Sequence, residues 1–187
     1  VKSLTHCHAE GLRWHYYTYR LGLKDVSDYT TQAGVFSRAM VARQTASGVA
    51  YVWDHRVLEL SDNTEGCQPT NYANYTVGCA IELALEGIAP FDGTFMRHLV
   101  TTACALVLPG GLDAIAPDVC GGVTVETEPF DSTATGAFSA RKYAISPWPG
   151  LARWDDAGYI ASLAEAAYQV NVNGVVVPAY MLLALAT

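Results

Sequence analysis

"THCHAEGLRWHYYTYRLGL", residues 5–23, gathers three histidines, a cysteine and the aromatics Trp14, Tyr16, Tyr17 and Tyr19. As a list of side chains it suggests a metal or catalytic site. As a periodic pattern it predicts a helix over about 9–23, because Leu12, Tyr16, Tyr19 and Leu23 recur at helical spacing. Trp14, Tyr17 and Leu21 lie on other sides of that helix, so its rings spread over more of the circumference than one small core can cover. Trp and Tyr are enriched at protein interfaces, where they bury area at low entropic cost and keep a polar tip. The stretch therefore reads as a packing element that touches its own core on one side and a neighbour on another. Trp14, Tyr16, Tyr17 and Tyr19 are the candidate interface residues, with Tyr72 and Tyr75 as further contacts.

The chemical alternative is weaker. His6 and His8 would share a face on a strand and could reach one metal there. On a helix they point about 200° apart and could not. A third ligand would have to be His15, His55 or His98, and no spacing selects among them. His8-Ala9-Glu10 fits the H-x-E half of the zinc deaminase signature, but the P-C-x-x-C half is missing: after Pro117-Asp118-Val119-Cys120 comes Gly121-Gly122-Val123. No metal and no cofactor is expected.

Beyond this stretch, Val26, Tyr29, Ala33, Phe36 and Met40 predict a second helix from Val26 to Arg43, with Asp25 as its cap. "GVAYVWDHRVLEL", residues 48–60, reads as one or two strands. Residues 61–75 are dense in Asn, Asp, Thr, Gly and Pro and read as a loop, followed by a helix over about 76–88. "FMRHLVTTACALVL", capped by Asp92 or Thr94, is apolar on most sides and should be central. Alternation in "GGVTVETEPF" and "GAFSARKYAI" predicts a hairpin. Asp155 or Asp156 starts a last helix to about Tyr168, and Asn173-Gly174 between valines predicts another hairpin. The fold class is α+β, several helices packed with antiparallel hairpins, as a single domain over 1–187. The start at Val1 and the close just after an apolar run lead us to expect a segment of a longer polypeptide.

Composition narrows the function classes. The chain is 51% hydrophobic and only 16% charged, against about 25% charged in an average domain. That shortage of solvating side chains implies surface covered by something else. The net charge is −7 and the sequence has no basic run, so it lacks the phosphate-neutralising patch of a sequence-specific nucleic-acid binder or a polybasic membrane surface. No apolar run reaches the roughly 20 residues needed to span a bilayer. Five cysteines, at 7, 67, 79, 104 and 120, are odd in number and widely spaced, a poor disulfide framework that suits a reducing, intracellular setting. The sequon Asn74-Tyr75-Thr76 matches a glycosylation pattern that is common by chance. Glu82 and Glu86 share a helix face and read as its solvated or interface side, and Asp54-His55-Arg56 reads as a surface or interfacial group.

G-x-S-x-G, the phosphate-loop pattern and G-x-G-x-x-G are all missing. The enzyme reading that remains is a small intracellular Cys/His hydrolase using Cys67, in the polar loop, or Cys7. In texture, "GLRWHYYTYRLGL", "YTTQAGVFSRAMVAR" and "SDNTEGCQPTNYANYTVGCAIELALEG" resemble the capsid proteins of totivirus-like double-stranded RNA viruses. That resemblance implies an α+β plate that assembles with copies of itself, or with the rest of a larger capsid chain, into a closed shell around the genome. Some members of that family remove mRNA caps with a histidine; no motif assigns that role to any histidine here. The leading expectation is thus a structural, self-assembling protein, cytoplasmic and present in the virion.

Overall fold

The computed structural model describes residues 5–23, 25–55, 66–111, 115–116, 118–122 and 147–171. Within them the architecture is α+β: five α-helices, a two-stranded antiparallel hairpin, and two short helical segments of other pitch. In chain order these are α1 (Thr5–Arg20), α2 (Val26–Arg38), β1 (Val41–Thr45), β2 (Gly48–Val52), α3 (Thr70–Leu85), α4 (Gly93–Thr101) and α5 (Tyr159–Asn171). A π-helical turn, Thr102–Val107, continues α4, and a 3₁₀ segment, Trp148–Trp154, leads into α5. The hairpins expected within 123–145 and around Asn173-Gly174 lie outside the described residues.

α1 begins four residues earlier than the periodicity predicts, so the His6-Cys7-His8 triplet falls inside its first turns. Its buried stripe is Thr5, Ala9, Leu12 and Tyr16 at spacings of four, three and four. The helix stops before Leu23. Gly22 adopts φ +70°, its N–H reaches Tyr19 O at 2.8 Å, and the N–H of Leu23 reaches Thr18 O at 2.9 Å. That pair of bonds satisfies the last carbonyls and turns the chain away, leaving Leu23 exposed. α3 closes in the same manner at Gly87 (φ +71°), with bonds from Gly87 to Ala84 O and from Ile88 to Leu83 O.

Two expected boundaries are corrected. α2 ends at Arg38 rather than Arg43, and Val41–Thr45 pairs as β1 with β2 in the register Val41↔Val52 to Thr45↔Gly48. Val41 favours strand and Ala42 helix, so local propensity divides, and the pairing available with 48–52 decides for strand. The loop expected over 61–75 is helical from Thr70, because Pro69 sets the entry and Ala73, Thr76 and Val77 have a core to pack against.

The core is one continuous cluster, in which Phe36, Trp53, Ile81, Leu83, Met96, Leu99, Trp148, Leu151 and Ile160 are almost wholly buried. Thr102 ties α4 to the hairpin: its hydroxyl donates to Tyr51 O at 2.6 Å and accepts from Tyr51 N at 3.0 Å. Gln68 does the same for the segment before α3, accepting from Trp53 Nε1 at 2.5 Å and from Thr76 Oγ1 at 2.8 Å. Asp92 caps α4 by accepting from Phe95 N, and Asp155 accepts from Ile160 N at the start of α5.

Candidate functional site

The surface around α1 is the molecule's most distinctive feature, and each of its sides has a different job. Leu12 and Tyr16 point into the core. A second side, His6, Arg13, Tyr17 and Arg20, meets α3 and its C-cap, where Tyr72, Tyr75 and Glu82 of the helix and Glu86 just past it form the matching stripe. Low-numbered residues meet low-numbered ones and high meet high, so the two helices run in the same direction. Arg13 Nε donates to Glu82 Oε2 at 2.8 Å, its Nη2 donates to Glu82 Oε1, and its Nη1 donates to Glu10 at 2.6 Å. Burial alone would make the Arg13 charge harder to hold, but these carboxylate bonds outweigh it and raise its pKa. Tyr16 donates to Glu86 Oε2 at 2.7 Å and accepts from Arg20 Nη1 at 2.7 Å. The hydrogen bond from Tyr16, followed by that from Arg20, holds the Glu86 carboxyl below its ordinary range. Glu82 and Glu86, expected on a solvated or interface side, are thus committed to α1 within the chain.

The third side faces outward. Cys7, Trp14 and Leu21 follow one another along it at heptad spacing, with Trp14 69% and Leu21 73% exposed and Tyr17 at its border with the side that meets α3. Gly11 lies on the same side with open space where a side chain would stand. Of the six expected interface residues, Trp14, Tyr17, Tyr72 and Tyr75 are exposed. Tyr16 is not: its ring is buried in the chain's own core, edge-on to Tyr29 at 5.7 Å. Tyr19 is half-buried against the same ring at 4.8 Å. The expectation that all four α1 aromatics exceed one core is therefore corrected for Tyr16, because α2 supplies Tyr29 as a second wall.

At the start of α1 and α3, His6 stacks on Tyr72 at 4.6 Å, with His55 5.7 Å from His6 and 5.3 Å from Tyr72. Burial, then the neighbouring His55, lowers the His6 pKa. His8 lies on the opposite side, its ring parallel to Phe36 and its Nε2 3.3 Å from Gln32 O. Burial lowers its pKa as well. The helical placement thus sends the two histidines to different neighbours. Among the described residues the Nδ1 atoms of His6, His55 and His98 are buried without a hydrogen-bond partner, as is Asp54 Oδ1. His15, on α1, is half-buried.

The cysteines depart from expectation. Cys67 and Cys120 form a disulfide, with Cα atoms 5.9 Å apart across 53 residues of sequence. Sequence spacing could not reveal this, since the pair is brought together by two isolated bridges, Asp54↔Cys67 and Pro69↔Asp118. Cys67 is therefore no free nucleophile in this state. Cys7 is exposed and free, and no histidine hydrogen-bonds to it among the described residues. Cys79 is buried, which pushes its thiol pKa up, and burial pushes Cys104 up to about 12; both behave as small core residues. Asn74 of the sequon sits within α3, its side-chain oxygen accepting from Trp148 Nε1 at 3.1 Å.

Among the described residues no helix is long and apolar enough to cross a membrane. Comparison with family models, with curated proteins and with solved structures finds no match to this chain.

Proposed function

We propose that this chain is a structural, self-assembling protein, a segment of a viral capsid shell that works inside the cell and in the virion by burying surface against its own copies. The observation that carries the reading is the outward side of α1, where Trp14 and Leu21 stand open to solvent beside the half-exposed ring of Tyr17. Large rings at the centre of a contact, shielded from water on assembly, are the usual energetic anchors of an interface.

A second copy is the occupant this face suits. Trp14 lies midway between Cys7 and Leu21, so two such helices crossing about a two-fold axis place ring against ring and sulfur against leucine, a self-complementary contact. The face also contributes little charge, because Glu10 is engaged by Arg13, and so copies of a chain of net charge −7 approach with their repulsion directed elsewhere. The same acidity and lack of basic runs suit a shell wall along which RNA can slide.

The test is sedimentation and light scattering of the purified chain, with electron microscopy of any particle formed. Wild-type protein should associate, and Trp14→Glu or Leu21→Glu should yield monomers with an unchanged helical circular-dichroism signal. A wild-type chain that stays monomeric at high concentration overturns the proposal.

A further inference from the structure

We propose that Cys67, Cys120 and Asp118 form a redox-gated site for Zn²⁺, closed to metal while the disulfide is intact and opened by its reduction. A sulfur from each cysteine and a carboxylate oxygen of Asp118 all lie within 4.8 Å of one another, and all three residues are half-buried. Among the described residues this is the only gathering of three such ligands at that spacing.

Zn²⁺ takes thiolate sulfur at about 2.3 Å and carboxylate oxygen at about 2.0–2.2 Å, so neighbouring ligands of a tetrahedron stand about 3.5–3.8 Å apart. Once the S–S bond is cleaved, rotation about the two Cα–Cβ bonds lets the sulfurs part to that distance, with the Cα atoms 5.9 Å apart. Two soft thiolates exclude Mg²⁺ and Ca²⁺, which want oxygen cages, and the hard carboxylate favours Zn²⁺ over a monovalent thiophile. The fourth position would hold water, the arrangement of an open zinc site.

Hydrogen bonds as well as the disulfide hold the scaffold. Val119 N donates to Gln68 O at 3.1 Å and Gln68 N to Trp53 O at 3.0 Å, which ties the Asp118–Cys120 turn to Cys67's segment and that segment to the end of the hairpin. Thr70 Oγ1 donates to Ala116 O at 2.7 Å, and Arg43 Nη1 donates to Cys120 O at 2.9 Å. Asp118 is itself oriented: its Oδ1 accepts from Cys120 N at 2.8 Å and from Gly122 N at 3.2 Å, the kind of outer bond that aims a ligating carboxylate. The other oxygen, Oδ2, stands only 2.5 Å from where a side chain on Gly122 would begin, so a larger residue at 122 would press the carboxylate out of this position.

The chemistry balances with a low-molecular-weight thiol as reductant. Two thiols transfer two electrons to the protein disulfide and leave as their own disulfide, giving two protein thiols. Zn²⁺ then displaces two protons to give the dithiolate complex. A small disulfide reverses both steps, re-forming the protein S–S bond, releasing two small thiolates and expelling the metal.

Cobalt(II) is the probe, because thiolate-to-cobalt charge transfer absorbs in the near ultraviolet and reports sulfur ligation directly. The chain, reduced with a phosphine that is then removed under anaerobic conditions, should bind one equivalent of Co²⁺ with that absorption, and Zn²⁺ should displace it. The oxidised chain should show neither. Cys67→Ser and Cys120→Ser should abolish the band in reduced protein while Cys7, Cys79 and Cys104 remain. Asp118→Asn, whose amide oxygen can still accept the two backbone bonds, should weaken binding at least about tenfold. Equal cobalt absorption in oxidised and reduced protein would place the metal elsewhere and overturn the proposal. So would a folded, reduced chain that binds none, or a reduced chain that loses its helical signal, since the site needs its segments held in place.

Discussion

Arg13 of α1 grips Glu82 of α3 with two parallel hydrogen bonds while also holding Glu10 one turn back on its own helix. The residues are 69 apart in sequence, and the guanidinium fork fits the carboxylate geometry in a way a lysine could not. This contact sits midway along the helix pair, between the His6–Tyr72 stack and the Tyr16–Glu86–Arg20 group. It sets which side of α1 remains for Trp14.

The Arg13–Glu82 pair is three-quarters shielded on both sides, between the exposed pairs worth under about 1 kcal/mol and the buried ones that cost about 3–5 kcal/mol to break. A double-mutant cycle with Arg13→Met and Glu82→Gln should return a coupling of about 1–2 kcal/mol in urea unfolding. Arg13→Lys should recover less than half of it. A coupling indistinguishable from zero would show that the contact is incidental.

Stability should fall on mild acidification. The His6 and His8 pKa values are lowered from 6.5 in the folded chain, each chiefly by burial. The unfolded chain therefore takes up protons near pH 6.5 before the folded chain does, so the contribution of neutral histidine is complete above that pH and lost as pH drops toward the lowered folded values. Glu86, held below its ordinary value of 4.5 by Tyr16 and Arg20, acts in the same direction at lower pH: its contribution is present above 4.5 and lost as pH falls through the lowered value. The midpoint of thermal unfolding should decline from pH 7 downward, with His6→Gln and His8→Gln flattening the slope between about pH 6.5 and 5. NMR titration placing either histidine above 6.5 would contradict this.

Gln68 is fully buried and its side-chain oxygen accepts from both Trp53 and Thr76. Gln68→Leu keeps the volume but strands the Trp53 indole N–H in a dry core, a desolvation cost of about 1–3 kcal/mol before any strain. A total loss of about 1–3 kcal/mol is expected from the shift in urea midpoint, since the variant also removes Gln68 Nε2, itself buried without a partner. Trp53→Phe in the same background should recover part of it, because the stranded donor is then gone.

Two glycines give opposite outcomes. Gly11 lies inside α1 with nothing within 4 Å of an added methyl, so Gly11→Ala should stabilise by about 0.5–1 kcal/mol through helix propensity. At Gly122 the added carbon would meet Asp118 Oδ2 at 2.5 Å. Gly122→Ala should therefore destabilise by about 1–2 kcal/mol, in the range of an overpacked site. Calorimetry of the two variants compares them directly.

Much of α1 was legible in the one-dimensional pattern: Leu12 and Tyr16 at helical spacing predict the buried side, and the surplus of rings predicts an uncovered one. Asp92 was readable, with Thr94, as a candidate cap, because capping is a local bond between neighbours in the chain, whereas the last helix begins at Tyr159 rather than at Asp155 or Asp156. The β1 strand was not legible, since Val41–Thr45 is strand only by virtue of pairing with Gly48–Val52. α3's early start was hidden for a similar reason. "TNYANY" looks like a loop until a core is present to receive Ala73 and Thr76.

By itself the sequence determined the α+β class, the helical character of residues 9–20, the weak charge and the surplus of rings on α1, all of which follow from composition, local propensity and periodicity. Only the tertiary structure decided that Tyr16 turns inward to Tyr29, that Glu82 and Glu86 belong to Arg13 and Arg20, and that Cys67 meets Cys120. Each of these pairs residues far apart in the chain, and such pairing depends on which faces the packed elements present to one another. Spacing along a single segment carries no trace of it.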